Sequence, residues 1–326
     1  MRISKFLESK KDKMTTFLIT GSTGLIGGAL VDHLLQKEDV RLLLPVRNVS
    51  KAKERFGEKR QISYLEHDFA YDESLQVEGD IDYIVHAAAP TASRYMVECP
   101  VETIDAIVKG TRTILQVAKQ NHAQGMVFLS SMEVYGMIDD EDCLIDESVQ
   151  GYVNPLSARS CYPMAKRLAE TLCHGYAEEY SVRVSIARLA QTFGPGVDIN
   201  YDKRVMAQFA KCARECQDIV LNTEGHSKRM YLHVSDAVSA IMLLLEKGGK
   251  GEAYNVANKD TYCSIREMAD FVKEQFCPSI HVIVRKNENH CYPPDTYLPL
   301  STNKIEQLGW KPQYGLREMF NAVIRN

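Results

Sequence analysis

The chain has 326 residues, with 39 basic and 43 acidic side chains and a net charge of −4. This length suffices for a full hydrophobic core and suggests about two domains. The slight acidic excess argues against a nucleic-acid-binding protein, which would normally carry a basic face. With 45% hydrophobic and 25% charged residues, the composition is that of an ordinary globular protein.

Residues 1–13 are rich in lysine and serine and are predicted to be a polar extension that precedes the fold. They lack the apolar stretch of a secretory signal, and no apolar run approaches the roughly 20 residues of a membrane span. We therefore expect a cytoplasmic protein without membrane contact. The nine cysteines include no CxxC motif. Cys212 and Cys216 lie one helical turn apart without a ligand cluster, so we expect reduced thiols and no metal site.

From residue 14 onward, strand-like and helix-like segments alternate, which predicts a parallel sheet covered by helices on both faces. We therefore expect an α/β protein with a Rossmann-type doubly wound sheet. After about residue 190 the alternation weakens, although two further strands are expected to return to the sheet. The predicted strands are 17–20, 40–44, 81–86, 125–129, 182–188, 231–233 and 254–256, and the predicted helices are 29–35, 101–120 and 163–179.

A glycine-rich turn follows the first predicted strand and precedes the first helix, with the sequence TGSTGLIGG over residues 20–28. Gly21 permits a tight turn, Gly24 lets the backbone approach a pyrophosphate, and Gly27 allows close packing of helix and strand. The helix N-terminus offers free N–H groups to phosphate oxygens. The turn therefore predicts dinucleotide binding, and its GxxGxxG spacing is similar to that of short-chain dehydrogenase/reductases. The cofactor-binding candidates here are Gly21, Thr23, Gly24, Leu25, Ile26 and Gly27.

The end of the second predicted strand bears on which nicotinamide dinucleotide is bound. An acidic residue there would bind the ribose 2′-hydroxyl and repel a 2′-phosphate, but residues 44–48 read LPVRN. Arg47 could instead pair with a phosphate, with Lys51 and Lys53 close behind. The alternative is a solvated basic loop. We favour NADP(H) over NAD(H).

A YxxxK motif, Tyr162 to Lys166, lies about 140 residues after the glycine turn on a predicted helix. Residues four apart share a helix face, so the ammonium is expected to lower the pKa of the phenol and make Tyr162 a general acid/base. Ser131 follows a strand at the edge where ligands bind, and would polarise the reacting oxygen. Glu133 is a candidate second acid/base group, with a solvated or helix-capping glutamate as the alternative.

Together these motifs resemble the extended short-chain dehydrogenase/reductases, specifically the sugar-nucleotide epimerase/dehydratase family. The resemblance runs from residue 14 to near the C-terminus and includes RLAQTFGPG at 188–196, RMYLHVSD at 229–236 and LGWKP at 308–312. The stretch 154–172 looks most like UDP-glucuronate decarboxylases. Met132 replaces the aspartate that 4,6-dehydratases use as their acid, which counts against a dehydratase.

The resemblance implies further site residues. Asp68 stands where the family places an acid after its third strand and would contact the adenine beside Phe69, and the alanines 87–89 would let the backbone approach the cofactor. Gln191 and Arg229 would hold the diphosphate of a nucleotide sugar, and an arginine fork suits paired phosphate oxygens independently. Lys166 would also hold the nicotinamide ribose. The helices 101–120 and 163–179 would pair with their copies in a homodimer. The three alanines that would lie against the cofactor are Ala87, Ala88 and Ala89.

The resemblance therefore implies an NAD(P)-dependent enzyme that modifies a nucleotide sugar by hydride transfer through a transient keto-sugar, with Tyr162 moving the proton. A net NADPH-dependent reductase of a keto-sugar or other carbonyl is one alternative. A non-catalytic NADP-sensing regulator is another. The expected domains are a dinucleotide-binding domain, 14–190 with 230–258 returning to it, and a smaller C-terminal substrate-binding lobe, 191–229 and 259–326.

Overall fold

The computed structural model of the protein describes residues 14–72, 74–138, 143–285 and 295–325. The chain forms two units. Unit 1 contains residues up to 136, 153–188 and 238–254, and unit 2 contains 137–152, 189–237 and 255–326. The predicted extension at 1–13 lies outside the described residues. The domain boundaries predicted from the sequence stay a prediction.

The elements are numbered in chain order. The strands are β1 (Thr15–Thr20), β2 (Val40–Val46), β3 (Ile62–Glu66), β4 (Tyr83–His86), β5 (Gly125–Ser131), β6 (Val184–Leu189), β7 (Gln191–Phe193), β8 (Ile219–Leu221), β9 (Lys228–His233), β10 (Ala253–Val256), β11 (Asn258–Ser264), β12 (Val282–Val284) and β13 (Tyr297–Leu298). The helices are α1 (Leu25–Leu34), α2 (Val49–Phe56), α3 (Ser93–Glu98), α4 (Pro100–Gln120), α5 (Cys161–Tyr180), α6 (Val205–Glu215), α7 (Val234–Lys247), α8 (Ile265–Phe276), α9 (Asn303–Gln307) and α10 (Leu316–Ile324).

The central sheet has seven strands in the order β3-β2-β1-β4-β5-β6-β10. Strand β1 pairs in parallel with β2 and β4, and the parallel pairing continues to β3 and to β5. This order, with the first strand in the interior and helical connections between strands, is that of a doubly wound sheet. The predicted fold class is confirmed.

Both faces of the central sheet are covered. On β1, Leu18 packs into a hydrophobic cluster that also contains Ile107 and Ile114 of α4 and Ala169 of α5. Its neighbour Phe17 points to the opposite face, because successive strand residues alternate, and it is also fully buried. Strands buried on both faces read as continuous apolar runs, which explains why the sequence showed them clearly.

Unit 2 is built around a smaller sheet, in which β9 pairs with β11, β13 and β7. Its core is a separate hydrophobic cluster formed mainly by α6, α8 and α10, which includes Phe209, Met268 and Phe320. A third sheet pairs β12 with β8. No helix in the described part of the chain is long and apolar enough to cross a bilayer.

One predicted strand, 231–233, does not join the central sheet as expected. Residues 254–256 lie in β10 at the edge of the central sheet, as expected, but 231–233 lie in β9 of the smaller sheet. Strand β9 leads through α7 to β10, so it precedes the crossover that returns the chain to the central sheet. An apolar run indicates a strand, but the partner of that strand depends on the connections around it.

Candidate active site

The glycine turn lies between β1 and α1, at the carboxyl edge of the central sheet. Gly21 has φ of +65°, a conformation that favours glycine, and a Cβ there would come within 2.7 Å of the Ala87 backbone. A Cβ on Gly27 would overlap the carbonyl oxygen of Gly21. The Thr20 hydroxyl accepts hydrogen bonds from the N–H groups of Ala87 and Ala88, at 3.1 and 3.0 Å, and so joins the ends of β1 and β4.

The local chemistry of this turn fits a phosphate group. Gly24 is the N-cap of α1, no side chain caps the helix, and no acidic residue lies in its first turn. The buried hydroxyl of Ser22 has no hydrogen-bond partner within the described residues. Uncapped N–H groups and the positive end of the helix dipole favour an anion here. The residues present therefore fit the diphosphate of a dinucleotide.

We expect Gly27→Ala to weaken dinucleotide binding and to lower the free energy of unfolding by about 1–3 kcal/mol, because the added methyl must displace the Gly21 backbone. Gly175→Ala is the matched control, since Gly175 is exposed within α5 and a Cβ there meets nothing within 4 Å. The control should be more stable by about 0.5–1 kcal/mol. Denaturant unfolding and a titration with NADPH measure both effects, and equal behaviour of the two variants would contradict the packing argument.

The other predicted cofactor residues surround the same edge of unit 1. Arg47 directly follows β2 and is exposed. Asp68 follows β3, and its carboxylate accepts a hydrogen bond of 3.0 Å from the Ala70 N–H. Phe69 is buried beside α4, where a Cβ on Gly110 would lie 3.0 Å from its side chain. Ala87, Ala88 and Ala89 follow β4 and are half-buried.

Three of the four predicted catalytic residues meet where β5 ends and α5 begins. The hydroxyl of Ser131 acts on the side chain of Tyr162 and lowers the pKa of its phenol. Lys166 lies one helical turn further along, with its Nζ 5.8 Å from the Tyr162 ring centroid. That ammonium donates a 2.6 Å hydrogen bond to the carbonyl oxygen of Leu129 in β5. The structure therefore brings the serine, the phenol and the ammonium together.

The expected lowering of the Tyr162 pKa is not found. Burial raises the pKa of this phenol, and the nearby Glu133 carboxylate raises it further, against the opposing effects of Ser131 and Arg159. Burial lowers the pKa of Lys166 to about 8, although the charge of Glu170 opposes this. The physical reason is that both side chains are buried, while the ammonium is directed to Leu129 and lies 4.5 Å from the Phe128 ring centroid.

Glu133 occupies a 3-10 turn, Met132–Tyr135, directly after β5. Its backbone N–H donates to the Ser131 hydroxyl at 3.2 Å, and its carboxylate is held by Arg159 at 2.7 Å. The Arg159 guanidinium lies 5.9 Å from the Tyr162 ring centroid. Glu133 is thus near the phenol, but it is ion-paired. Arg159 could not be predicted from the sequence as a site residue, because 26 residues separate it from its partner.

A buried ion pair beneath Lys166 was also missed. The Glu170 carboxylate accepts hydrogen bonds from Arg188, the shortest at 2.7 Å, and from the Ser130 hydroxyl at 2.6 Å. Arg188 also donates to the Tyr135 hydroxyl at 3.1 Å. Burial alone would lower the pKa of Arg188, but the hydrogen bonds and charge of Glu170 outweigh burial and raise it. The signal available in the sequence was that Glu170 lies four residues after Lys166 on one helix.

Arg55 is a further residue near the glycine turn that was not predicted from the sequence. From α2 it donates hydrogen bonds to the carbonyl oxygens of Thr23 and Gly24 in the glycine turn, at 2.9 and 3.2 Å. A Cβ on Gly28 would overlap its guanidinium. No local pattern marks this contact, because it depends on how α2 packs beside α1.

Gln191 and Arg229 lie on paired strands of unit 2. Gln191 begins β7 and is in register with Tyr231 of β9, two residues after Arg229. Arg229 donates a 3.0 Å hydrogen bond to the Thr296 hydroxyl, and its buried Nε has no hydrogen-bond partner within the described residues. These two predicted substrate contacts are therefore close to one another in the smaller sheet.

The amino-acid sequence matches one protein family and is similar to known enzymes over most of its length. Residues 17–257 match the NAD dependent epimerase/dehydratase family. The chain is 34% identical to UDP-glucuronic acid decarboxylase 5 of Arabidopsis thaliana, over 98% of this chain and 89% of the relative. It is 31% identical to UDP-glucuronic acid decarboxylase 1 of Xenopus tropicalis, over 98% of this chain and 73% of the relative.

Solved structures share the fold at lower identity. UDP-glucose 4-epimerase of Thermotoga maritima superposes with a TM-score of 0.80 at 21% identity, covering 95% of this chain and 98% of that one. dTDP-glucose 4,6-dehydratase of Bacillus anthracis, in complex with NAD, gives a TM-score of 0.75 at 21% identity, covering 95% and 96%. RMD of Pseudomonas aeruginosa, complexed with NADPH, gives 0.75 at 22% identity, covering 96% and 98%.

Proposed function

This chain belongs to the NAD dependent epimerase/dehydratase family, and on that premise we propose that it is an enzyme that modifies a nucleotide sugar through a transient keto-sugar. The observation that carries the proposal is the buried phenol of Tyr162, one helical turn from Lys166 and close enough to Ser131 for that hydroxyl to lower its pKa. A nicotinamide dinucleotide, when bound, supplies the acceptor and donor of hydride. Residues of this chain bind the substrate and transfer the proton.

Tyr162 moves the proton between the sugar hydroxyl and the protein. Burial keeps the phenol protonated in the free protein, which is the form required to protonate a keto oxygen. The reverse direction requires the phenolate, which a neighbouring positive charge favours. Ser131 lowers the pKa of the same phenol, and its hydroxyl can donate to the sugar oxygen. Lys166 is held by Leu129, so its ammonium has one defined position.

Glu133 and Arg159 would form an ion pair whose pairing can change when the substrate binds. Both side chains are just over one-third exposed, so their ion pair is open to solvent and a charged substrate group could compete for either partner. Glu133 raises the pKa of Tyr162 and Arg159 lowers it. A change in their pairing would therefore alter how readily the phenol releases its proton.

The substrate class is proposed from the relatives and from unit 2. The relatives of highest similarity cited above are UDP-glucuronic acid decarboxylases, so UDP-glucuronate is the first substrate to test. The Arg229 Nε has no hydrogen-bond partner among the residues that the structure describes, and the planar guanidinium fork suits diphosphate oxygens. We propose that Arg229 and Gln191 hold the diphosphate of the nucleotide sugar.

Incubation with UDP-, dTDP-, GDP- and CDP-sugars, with and without NADPH, followed by mass analysis of the products, tests the function. Loss of CO₂ identifies a decarboxylase, loss of water a dehydratase, and an altered sugar at unchanged mass an epimerase. A gain of two hydrogens with stoichiometric use of NADPH would favour the net reductase instead. If no sugar is changed although dinucleotide binds, a sensing regulator is supported and the enzymatic proposal fails.

We propose NADP(H) as the preferred cofactor, with Arg47 contacting the 2′-phosphate. Arg47→Ala should weaken NADPH binding by about 10- to 100-fold, the effect of losing a hydrogen bond between charged groups. Binding of NADH should change by less than about 3-fold, because NADH carries no 2′-phosphate. Calorimetric titration of both cofactors measures the difference.

Lys53→Ala is the matched control for Arg47→Ala, since Lys53 already pairs with Glu58 at 2.7 Å on the surface. This control should leave NADPH binding nearly unchanged. An equal loss for both cofactors in Arg47→Ala would overturn the assignment.

We also propose that the protein is a homodimer that pairs α4 and α5 with their copies. Val101 and Ile104 of α4, and Met164 and Leu168 of α5, are exposed apolar residues on helices that pack together. Leu168→Glu combined with Ile104→Glu should shift the chain from dimer to monomer in light scattering, because charge would be buried without a partner. Leu156→Glu, on an exposed loop outside both helices, should not. A wild-type monomer at micromolar concentration would contradict the proposal.

The cytoplasmic location and the two-domain division remain predictions.

A further inference from the structure

Two cysteines distant in the sequence meet in unit 2. Cys216 directly follows α6 and adopts φ of +52°, while Cys277 directly follows α8. Their Sγ atoms lie 3.2 Å apart, within hydrogen-bond distance for a thiol donor. The sequence had placed Cys216 near Cys212 by helical spacing, but the chain turn at the end of α6 directs it to a residue 61 positions away.

One cysteine of the pair is accessible, and the other lies in an environment that favours the thiolate. Cys216 is exposed, so a reagent in solution can reach it, whereas Cys277 is buried. The Ser279 hydroxyl lies 3.4 Å from the Cys277 sulfur. The hydrogen bonds of Ser279 and of Cys216 lower the pKa of Cys277, whereas the hydrogen bond with Cys277 raises the pKa of Cys216. By contrast, burial raises the pKa of the Cys173, Cys212 and Cys263 thiols.

The helices that carry the two cysteines are already packed together. Phe209 and Ala213 of α6 share one hydrophobic cluster with Met268 and Val272 of α8, and Cys277 belongs to the same cluster. Because this cluster holds the helix ends in place, a bond between the two sulfurs would require only a small local adjustment. A covalent link there would also restrict the unfolded chain across a 61-residue separation.

We propose that Cys216 and Cys277 form a reversible intrachain disulfide, a modification site separate from the proposed chemistry of unit 1. The oxidant is a low-molecular-weight disulfide. The Cys216 thiolate attacks one sulfur of that disulfide, forms a mixed disulfide, and releases the first thiolate. The Cys277 thiolate then attacks Cys216 Sγ and releases the second. The two protons lost by the cysteines end on the two small thiols, and the small disulfide is reduced.

The test equilibrates the full chain with oxidised glutathione and then maps peptides without reduction. We expect a Cys216–Cys277 crosslink, a mass loss of about 2 Da, and a rise in Tm on the order of 10 °C that a reductant reverses. Cys216→Ser and Cys277→Ala should each abolish the crosslink and the Tm rise. Cys212→Ser is the matched control, one helical turn from Cys216, and should retain both.

Two outcomes would overturn the proposal. One is a stable glutathione adduct at Cys216 that Cys277 does not resolve. The other is a crosslink from Cys216 to a different cysteine. Since the readouts are covalent mass and thermal stability, the result is independent of whether the chain turns over a nucleotide sugar.

Discussion

Replacing Tyr162 with phenylalanine is expected to lower kcat by roughly 10²- to 10⁴-fold, the contribution of a positioned general acid or base. The substitution removes one oxygen from a buried ring and leaves the packing of α5 on β5 intact. Ser131 keeps the hydrogen bond that it accepts from the Glu133 N–H. Dinucleotide affinity should therefore change by less than about 2-fold, because the glycine turn is untouched.

Tyr176→Phe is the control for this experiment. Tyr176 is buried on the same helix to the same extent as Tyr162, but it lies more than three turns further along. Its variant should turn over at the wild-type rate. A Tyr162→Phe variant within tenfold of wild-type activity would remove the phenol from the mechanism, whichever sugar proves to be the substrate.

Glu170→Ala should lower the free energy of unfolding by about 3–5 kcal/mol, the usual effect of removing one partner of a buried ion pair. The side chains of Glu170 and Arg188 are only 10% and 14% exposed. The substitution would leave the Arg188 guanidinium buried without its carboxylate and would remove the partner of the Ser130 hydroxyl. Denaturant unfolding at neutral pH measures the loss.

The matched control is Glu98→Ala, which removes a carboxylate from an ion pair with Arg94 of the same 2.7 Å length. That pair is exposed, at 53% and 88%, so the loss should stay below about 1 kcal/mol. Similar losses for the two variants would show that burial does not govern the Glu170 pair.

A milder variant, Glu170→Gln, separates stability from chemistry. Glu170 raises the pKa of Lys166, so its neutralisation should lower that pKa from about 8. If the Lys166 ammonium is required, the alkaline limb of kcat/KM should then move to lower pH. A stability loss with an unchanged pH profile would restrict Glu170 to a structural role.

Several features of the site could be predicted because they are local in the chain. The glycine turn belongs to a run of nine residues, 20–28, that joins the end of β1 to the start of α1, and its conformation follows from what glycine permits. Tyr162 and Lys166 share a helix face because of their spacing. Ser131 was located by its position at a strand end, where parallel sheets present residues to ligands.

The sequence by itself therefore determined the alternation of strands and helices, the class of the central sheet as parallel and doubly wound, and the residues at its carboxyl edge. Only the tertiary structure decided that β9 joins the smaller sheet, that Arg159 pairs with Glu133, and that Cys216 meets Cys277. It also reversed the expected shift of the Tyr162 pKa. The physical reason is the distance along the chain that separates the partners. Residue spacing encodes contacts within a helical turn or along one strand. Long-range pairing and the loss of solvent around a charge arise only when distant segments pack together.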